Sequence, residues 1–122
     1  MRVGYVVLYV KDSDACLEFW TKKVGMVLKG TTDVAGHALH KVGFADQEFS
    51  FELVPLALMK DNPDNLDLAT PSIAFYVDDL ASMYETLQAN GVATSEIAEH
   101  SGKQSFAFSD NENRWFAVLV HA

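Results

Sequence analysis

Residues 6–20 read VVLYVKDSDACLEFW, and residues 73–87 read IAFYVDDLASMYETL. Each stretch opens on apolar, β-branched and aromatic residues, the composition of a strand covered on both faces. Each then sets an aspartate where a helix would begin, Asp12 in the first and Asp79 in the second. Apolar residues follow at three- and four-residue spacing: Cys16, Phe19, Trp20 and Val24, then Leu80, Met83, Tyr84 and Leu87. Gly25 and Asn90-Gly91 stand where these helices would stop. Laid over each other at an offset of 67 positions, the two stretches agree at Tyr9/Tyr76, Val10/Val77, Asp12/Asp79 and Glu18/Glu85.

The agreement extends outward. The first strand is read over Val3–Val10, and three strand-like stretches follow Gly25, around Met26–Asp33, His37–Ala45 and Phe49–Val54. Ala35-Gly36 and Asp46-Gln47-Glu48 separate them. After Gly91 the same order returns around Val92–Ala98, Lys103–Ser109 and Arg114–Val120, with Asp110-Asn111-Glu112-Asn113 as the last turn. Phe44-Ala45-Asp46 recurs as Phe108-Ser109-Asp110, and Phe51-Glu52-Leu53 as Phe116-Ala117-Val118. Residues 56–70 lose all periodicity and read as an exposed connection carrying at most a helical turn. The expectation is an α+β domain spanning residues 1–122, built of two tandem βαβββ modules (about 1–55 and 71–122) with a linker over 56–70.

A chain of 122 residues, 49% of them hydrophobic, suffices for one compact core and argues against disorder. No apolar run has the length of a bilayer span, so no membrane partner is expected. The single cysteine, Cys16, forms no internal disulfide and points to a cytoplasmic setting. A net charge of −8 would repel a phosphate backbone and excludes nucleic acid as the expected partner. All of that charge falls in residues 61–122, where Lys103 and Arg114 are the only bases; an acidic half of this kind favours a cationic ligand.

The two strand-to-helix openings, Phe51-Glu52-Leu53-Val54 and the terminal FSDNENRW turn resemble the vicinal oxygen chelate superfamily, which groups glyoxalase I, bleomycin resistance proteins and extradiol dioxygenases. The resemblance covers essentially the whole chain. It implies that each module curls its strands into half of an open, curved mixed sheet, and that the two halves enclose a cavity. Alternation along the strands then assigns Tyr5, Val7 and Tyr9 to the cavity face, with Ser50, Glu52 and Val54; Ser72, Ala74 and Tyr76; and Trp115, Ala117 and Leu119.

Metal-dependent members of the superfamily carry four ligands, one on the first and one on the last strand of each module. Those positions map here to Tyr5, Glu52, Ser72 and Ala117. Only Glu52 is a competent carboxylate ligand, so no metal or other cofactor is expected. His37 and His40, three apart on a strand, face opposite ways and offer no replacement. His100 and His121 read as surface residues, and Cys16 and Trp20 as core. Arg114 either binds an anion or ends a turn.

Glu52 is either a solvated glutamate or a carboxylate enclosed by Tyr5, Trp115 and Val54, which would anchor a ligand or act as a base. The preferred expectation is a metal-independent homodimer that encloses a small organic molecule, cationic or aromatic, as bleomycin-resistance proteins do. Tyr5, Tyr9, Glu52, Ser72, Tyr76 and Trp115 are its ligand-binding residues. Two alternatives stay open: a lyase, isomerase or dioxygenase with an atypical or absent metal site, and an interaction module that uses the acidic stretch Asp61–Asp67.

Overall fold

The computed structural model describes residues 1–121. The chain divides into two compact units, Met1–Thr70 and Pro71–Ala122. In the first, β1 (Val6–Val10) leads into α1 (Ser13–Glu18), then into a π-helical turn over Phe19–Val24 and three strands: β2 (Val27–Val34), β3 (His37–Gly43) and β4 (Phe51–Pro55). The sheet order is β1-β4-β3-β2, with β1 and β4 parallel and the other pairs antiparallel. A 3-10 turn, Leu56–Met59, opens the connection. The second unit repeats the plan with β5 (Ala74–Val77), α2 (Leu80–Ala89), β6 (Ala98–His100), β7 (Lys103–Ser109) and β8 (Trp115–Val120), in the order β5-β8-β7-β6. Both units are therefore βαβββ.

The caps form as their chemistry requires. The Asp12 carboxylate accepts from the Ala15 amide and Asp79 from the Ser82 amide, each at 3.0 Å, satisfying amides that the first helical turn leaves without partners. Two hairpins turn on two residues with positive φ, Ala35-Gly36 (+50° and +81°) and Ser101-Gly102 (+52° and +76°). That is the geometry of a tight hairpin whose twist matches its strands, and glycine takes it without strain.

Each sheet buries one face against its helical segment. In the first unit Leu8, Val10, Cys16, Phe19, Trp20, Val42, Phe51 and Leu53 are buried. The Trp20 ring lies 5.2 Å from Phe51 and 5.3 Å from Phe19, close enough for the edge and tilted contacts aromatic rings favour. The second core sets Phe108 against Phe116 across β7 and β8, with Phe75 6.0 Å from both and Leu80, Leu87 and Val118 buried around them. Cys16 and Trp20 are core, as their spacing predicts.

A polar strut fastens α1 to its sheet. Ser13 Oγ donates to the Ala38 carbonyl at 2.7 Å. The buried His40 ring lies between the Asp14 carboxylate, 2.7 Å from Nε2, and the Thr31 hydroxyl, 2.9 Å from Nδ1. A carboxylate only accepts, so Nε2 carries a proton toward it, and both ring nitrogens are satisfied within the fold.

Besides shifts of one or two residues at several strand ends, three elements differ from the sequence reading. The first strand starts at Val6, opposite Phe51 where β4 begins, so residues 3–5 have no β4 residue to pair with. The first helix widens into a π turn at Phe19–Val24, where Phe19 and Trp20 are both buried and Thr21 Oγ1 donates back to the Leu17 carbonyl at 2.7 Å. The stretch expected as a strand over 92–98 is irregular. Thr94 forms a lone bridge to Phe108, Ser95 Oγ accepts from the Ala107 amide at 2.9 Å, and the strand itself, β6, comes later, at Ala98–His100.

Candidate functional site

The sheet face turned away from α1 carries Val7 and Tyr9 of β1 and Glu52 and Val54 of β4; Tyr5 and Ser50, assigned to the same strand faces, need correction, since each lies one residue before its strand begins. One cross-strand row runs Val7 (β1), Glu52 (β4), Lys41 (β3) and Gly30 (β2). The next row along β1 and β4 pairs Tyr9 with Val54. Lys41 and Glu52 stand directly opposite each other, the Lys41 Nζ 3.9 Å from Glu52 Oε2. Gly30 offers Lys41 no side chain on its other flank. The lysine reaches instead across Glu52 to Tyr5, the residue just before β1, and its Nζ stands 4.2 Å from the centre of that ring. The Glu52 side chain is only 14% exposed, against 39% for Lys41. Glu52 is thus a largely enclosed carboxylate in an ion pair, and the solvated alternative drops out.

The structure brings Tyr5 and Glu52 together through Lys41, a residue the sequence reading did not single out. The sequence alone does not point to it. The register that sets Lys41 opposite Glu52 and Val42 opposite Phe51 is off by one residue from a reflection centred on Gln47, which would set Glu52 opposite Val42.

The second unit presents Ala74 and Tyr76 on β5 and Trp115, Ala117 and Leu119 on β8, with the register Ala74↔Ala117 and Tyr76↔Leu119. Tyr76 is 68% exposed and packs edge-on against His121 at 4.9 Å; Trp115, at the start of β8, is 54% exposed. The expectation of Ser72 on a strand face needs correction. It lies two residues before β5 begins, outside the ladder and exposed, because the parallel pairing with β8 starts at Ala74. His121 is exposed, as read from the sequence, and its ring packs on that of Tyr76.

The internal repeat fixes which positions correspond. Val7 faces Glu52 in one unit and Ala74 faces Ala117 in the other; Lys41 likewise corresponds to Ala107, which faces Ala117. The Lys41–Glu52 pair of the first unit is an alanine pair in the second.

These residues do not fit a divalent metal. In the first unit the one carboxylate, Glu52, faces an ammonium and the tyrosine ring lies under that same ammonium; in the second, Ala117 has no donor atom. Among the described residues no group of three or more His, Cys, Asp or Glu side chains is placed to hold a metal ion. Arg114 resolves as a turn-ending residue. Its guanidinium donates to Asp110 and Glu112 at 3.0 Å each. Burial works to lower its pKa, and the hydrogen bonds and charges of the two carboxylates outweigh this and leave it raised.

Two βαβββ units, each with a four-stranded mixed sheet, a helical segment on one face and aromatic side chains on the other, define the chain as a paired-module α+β protein. A family model described as the Glyoxalase/Bleomycin resistance protein/Dioxygenase superfamily matches residues 2–118, and the chain belongs to that superfamily. A curated relative, YetH of Bacillus subtilis (strain 168), is 29% identical over 92 residues, covering 75% of this chain and 73% of its own. Among solved structures, UcmS2 superposes with a TM-score of 0.82 at 20% identity, covering 99% of this chain and 98% of that one. TnmS3, an antibiotic binding protein from Streptomyces sp. CB03234, gives 0.81 at 17% identity over 100% of this chain and 97% of its own. A superfamily member from Sphaerobacter thermophilus DSM 20745 gives 0.79 at 19%, covering 99% and 98%. No helix among the described residues is long and apolar enough to cross a membrane.

Proposed function

We propose that this protein binds a small organic molecule of aromatic character without the help of a metal. The observation that carries the proposal is the Tyr5–Lys41–Glu52 group: an aromatic ring, an ammonium and a largely enclosed carboxylate on a sheet face that its own helix leaves uncovered. Such a mixture of apolar surface with a few placed polar groups is how small-molecule sites are built. Tyr9, Tyr76 and Trp115 add aromatic area on the corresponding faces, and the likeness to an antibiotic binding protein agrees with this use of the fold. The fold alone does not assign the ligand. The alternative of Glu52 as a proton-transfer base is disfavoured by its pairing with Lys41.

Self-association into a homodimer, in a cytoplasmic setting, is part of the proposal. What supports association is β2, an eight-residue edge strand exposed along its whole length, with Val27, Leu28 and Val34 facing water. The binding proposal is tested by titrating a library of aromatic fragments into isotope-labelled protein and following backbone amide shifts. Fragments are expected to move the resonances of Tyr5, Lys41 and Glu52. Binding confined to other surfaces, or no binding at millimolar concentration, overturns it.

A further inference from the structure

We infer that Lys41 and Glu52 act together as a donor–acceptor clamp that selects a neutral aromatic ligand carrying an adjacent hydrogen-bond donor and acceptor: a carboxamide, lactam or phenol. The inference rests on the small-molecule reading above and narrows its ligand class.

An ammonium only donates hydrogen bonds, and a carboxylate only accepts them. At 3.9 Å the Lys41 Nζ and Glu52 Oε2 are farther apart than the roughly 3.2 Å limit of a direct hydrogen bond, so each keeps capacity toward a third group. The Tyr5 ring steadies the ammonium from 4.2 Å without taking an ordinary hydrogen bond from it. The nitrogen and oxygen of an amide lie roughly 2.2 Å apart by standard bond lengths and angles. Two slightly diverging hydrogen bonds of about 2.9 Å from such an edge span the distance between the two protein atoms. A phenol bridges the same gap with one oxygen, donating to Glu52 and accepting from Lys41.

Charged ligands fare worse at this spot. A ligand carboxylate on Lys41 stands against Glu52, and a ligand ammonium on Glu52 stands against Lys41, so each gains one contact and meets one repulsion. Because Glu52 is largely withdrawn from water, both terms are stronger than on an open surface. The approach is clear on the β2 side, since a Cβ placed on Gly30 would meet no atom within 4 Å. The corresponding pair in the second unit, Ala107 and Ala117, offers only apolar surface, so this selection belongs to the first unit. The cation preference expected from the net charge of −8 gives way here to a pair whose own charges cancel.

Three probes that share one aromatic body test the clamp by calorimetry: naphthalene-2-carboxamide, 2-naphthoate and 2-naphthylmethylammonium. The intact protein is expected to bind the carboxamide about three- to tenfold more tightly than either ion, the worth of one hydrogen bond. Lys41→Met leaves an unopposed carboxylate and should bring the ammonium to first place. Glu52→Gln leaves an unopposed ammonium and should bring the naphthoate to first place. Lys41→Gln serves if Lys41→Met does not fold. A wild-type preference for the ammonium, or an order that neither variant changes, overturns the clamp while small-molecule binding stands. Binding of none of the three overturns the aromatic-ligand reading and the clamp with it.

Discussion

Gly43 ends β3, two residues beyond Lys41, and a Cβ built there would lie 2.2 Å from the Phe49 carbonyl oxygen. That oxygen belongs to the backbone just before β4 and has no rotamer to escape into, so the strand or the loop must move. Gly43→Ala is expected to destabilise the protein by about 2 kcal/mol or more, read as a lowered urea midpoint. An unchanged midpoint would mean the approach relaxes freely. Nothing in the sequence marks this glycine. Gly36 and Gly102 sit in recognisable turns, but the need at position 43 comes from a carbonyl six residues away, brought close only when β3 and β4 pair. Lys41 shows the same limit: its residue type says surface, and only the register places it over Tyr5 and against Glu52.

The turn between β7 and β8 is organised by one buried carboxylate. Asp110 Oδ1 accepts from the Glu112 and Arg114 amides, each at 2.9 Å, and Oδ2 accepts from the Arg114 guanidinium at 3.0 Å. The Asp110 side chain is wholly enclosed and that of Arg114 nearly so, which places this pair among those costly to break. Asp110→Ala takes one carboxylate from the guanidinium and the acceptor from two amides, and should cost about 3 kcal/mol in chemical denaturation. Asp110→Asn, which keeps the amide acceptor, should recover part of it; equal losses would show that the charge alone matters. At this scale much was legible. Both helix starts, the Ala35-Gly36 hairpin and the succession of elements along the chain follow from caps, turn residues and apolar runs, because these are local choices. The strand misplaced over 92–98 failed for a local reason too: Ser95 brings a hydroxyl that competes with the ladder and takes the Ala107 amide for itself.

Over the whole molecule two electrostatic influences act on a ligand at different ranges. The net charge of −8 acts at a distance and is screened within about 10 Å at 0.1 M salt, whereas the Lys41–Glu52 pair acts at contact. The far field changes how often a charged ligand arrives, and the pair decides which ligand stays. Raising the salt from about 0.05 to 0.5 M should therefore slow association of 2-naphthylmethylammonium and speed that of 2-naphthoate, each by a few-fold. The affinity for the neutral carboxamide should hold within about twofold across the same range. Stopped-flow mixing at several salt concentrations reads both. If the ranking of affinities collapses at high salt, selection comes from the overall charge; if the ranking survives while the rates converge, it comes from the two side chains on β3 and β4.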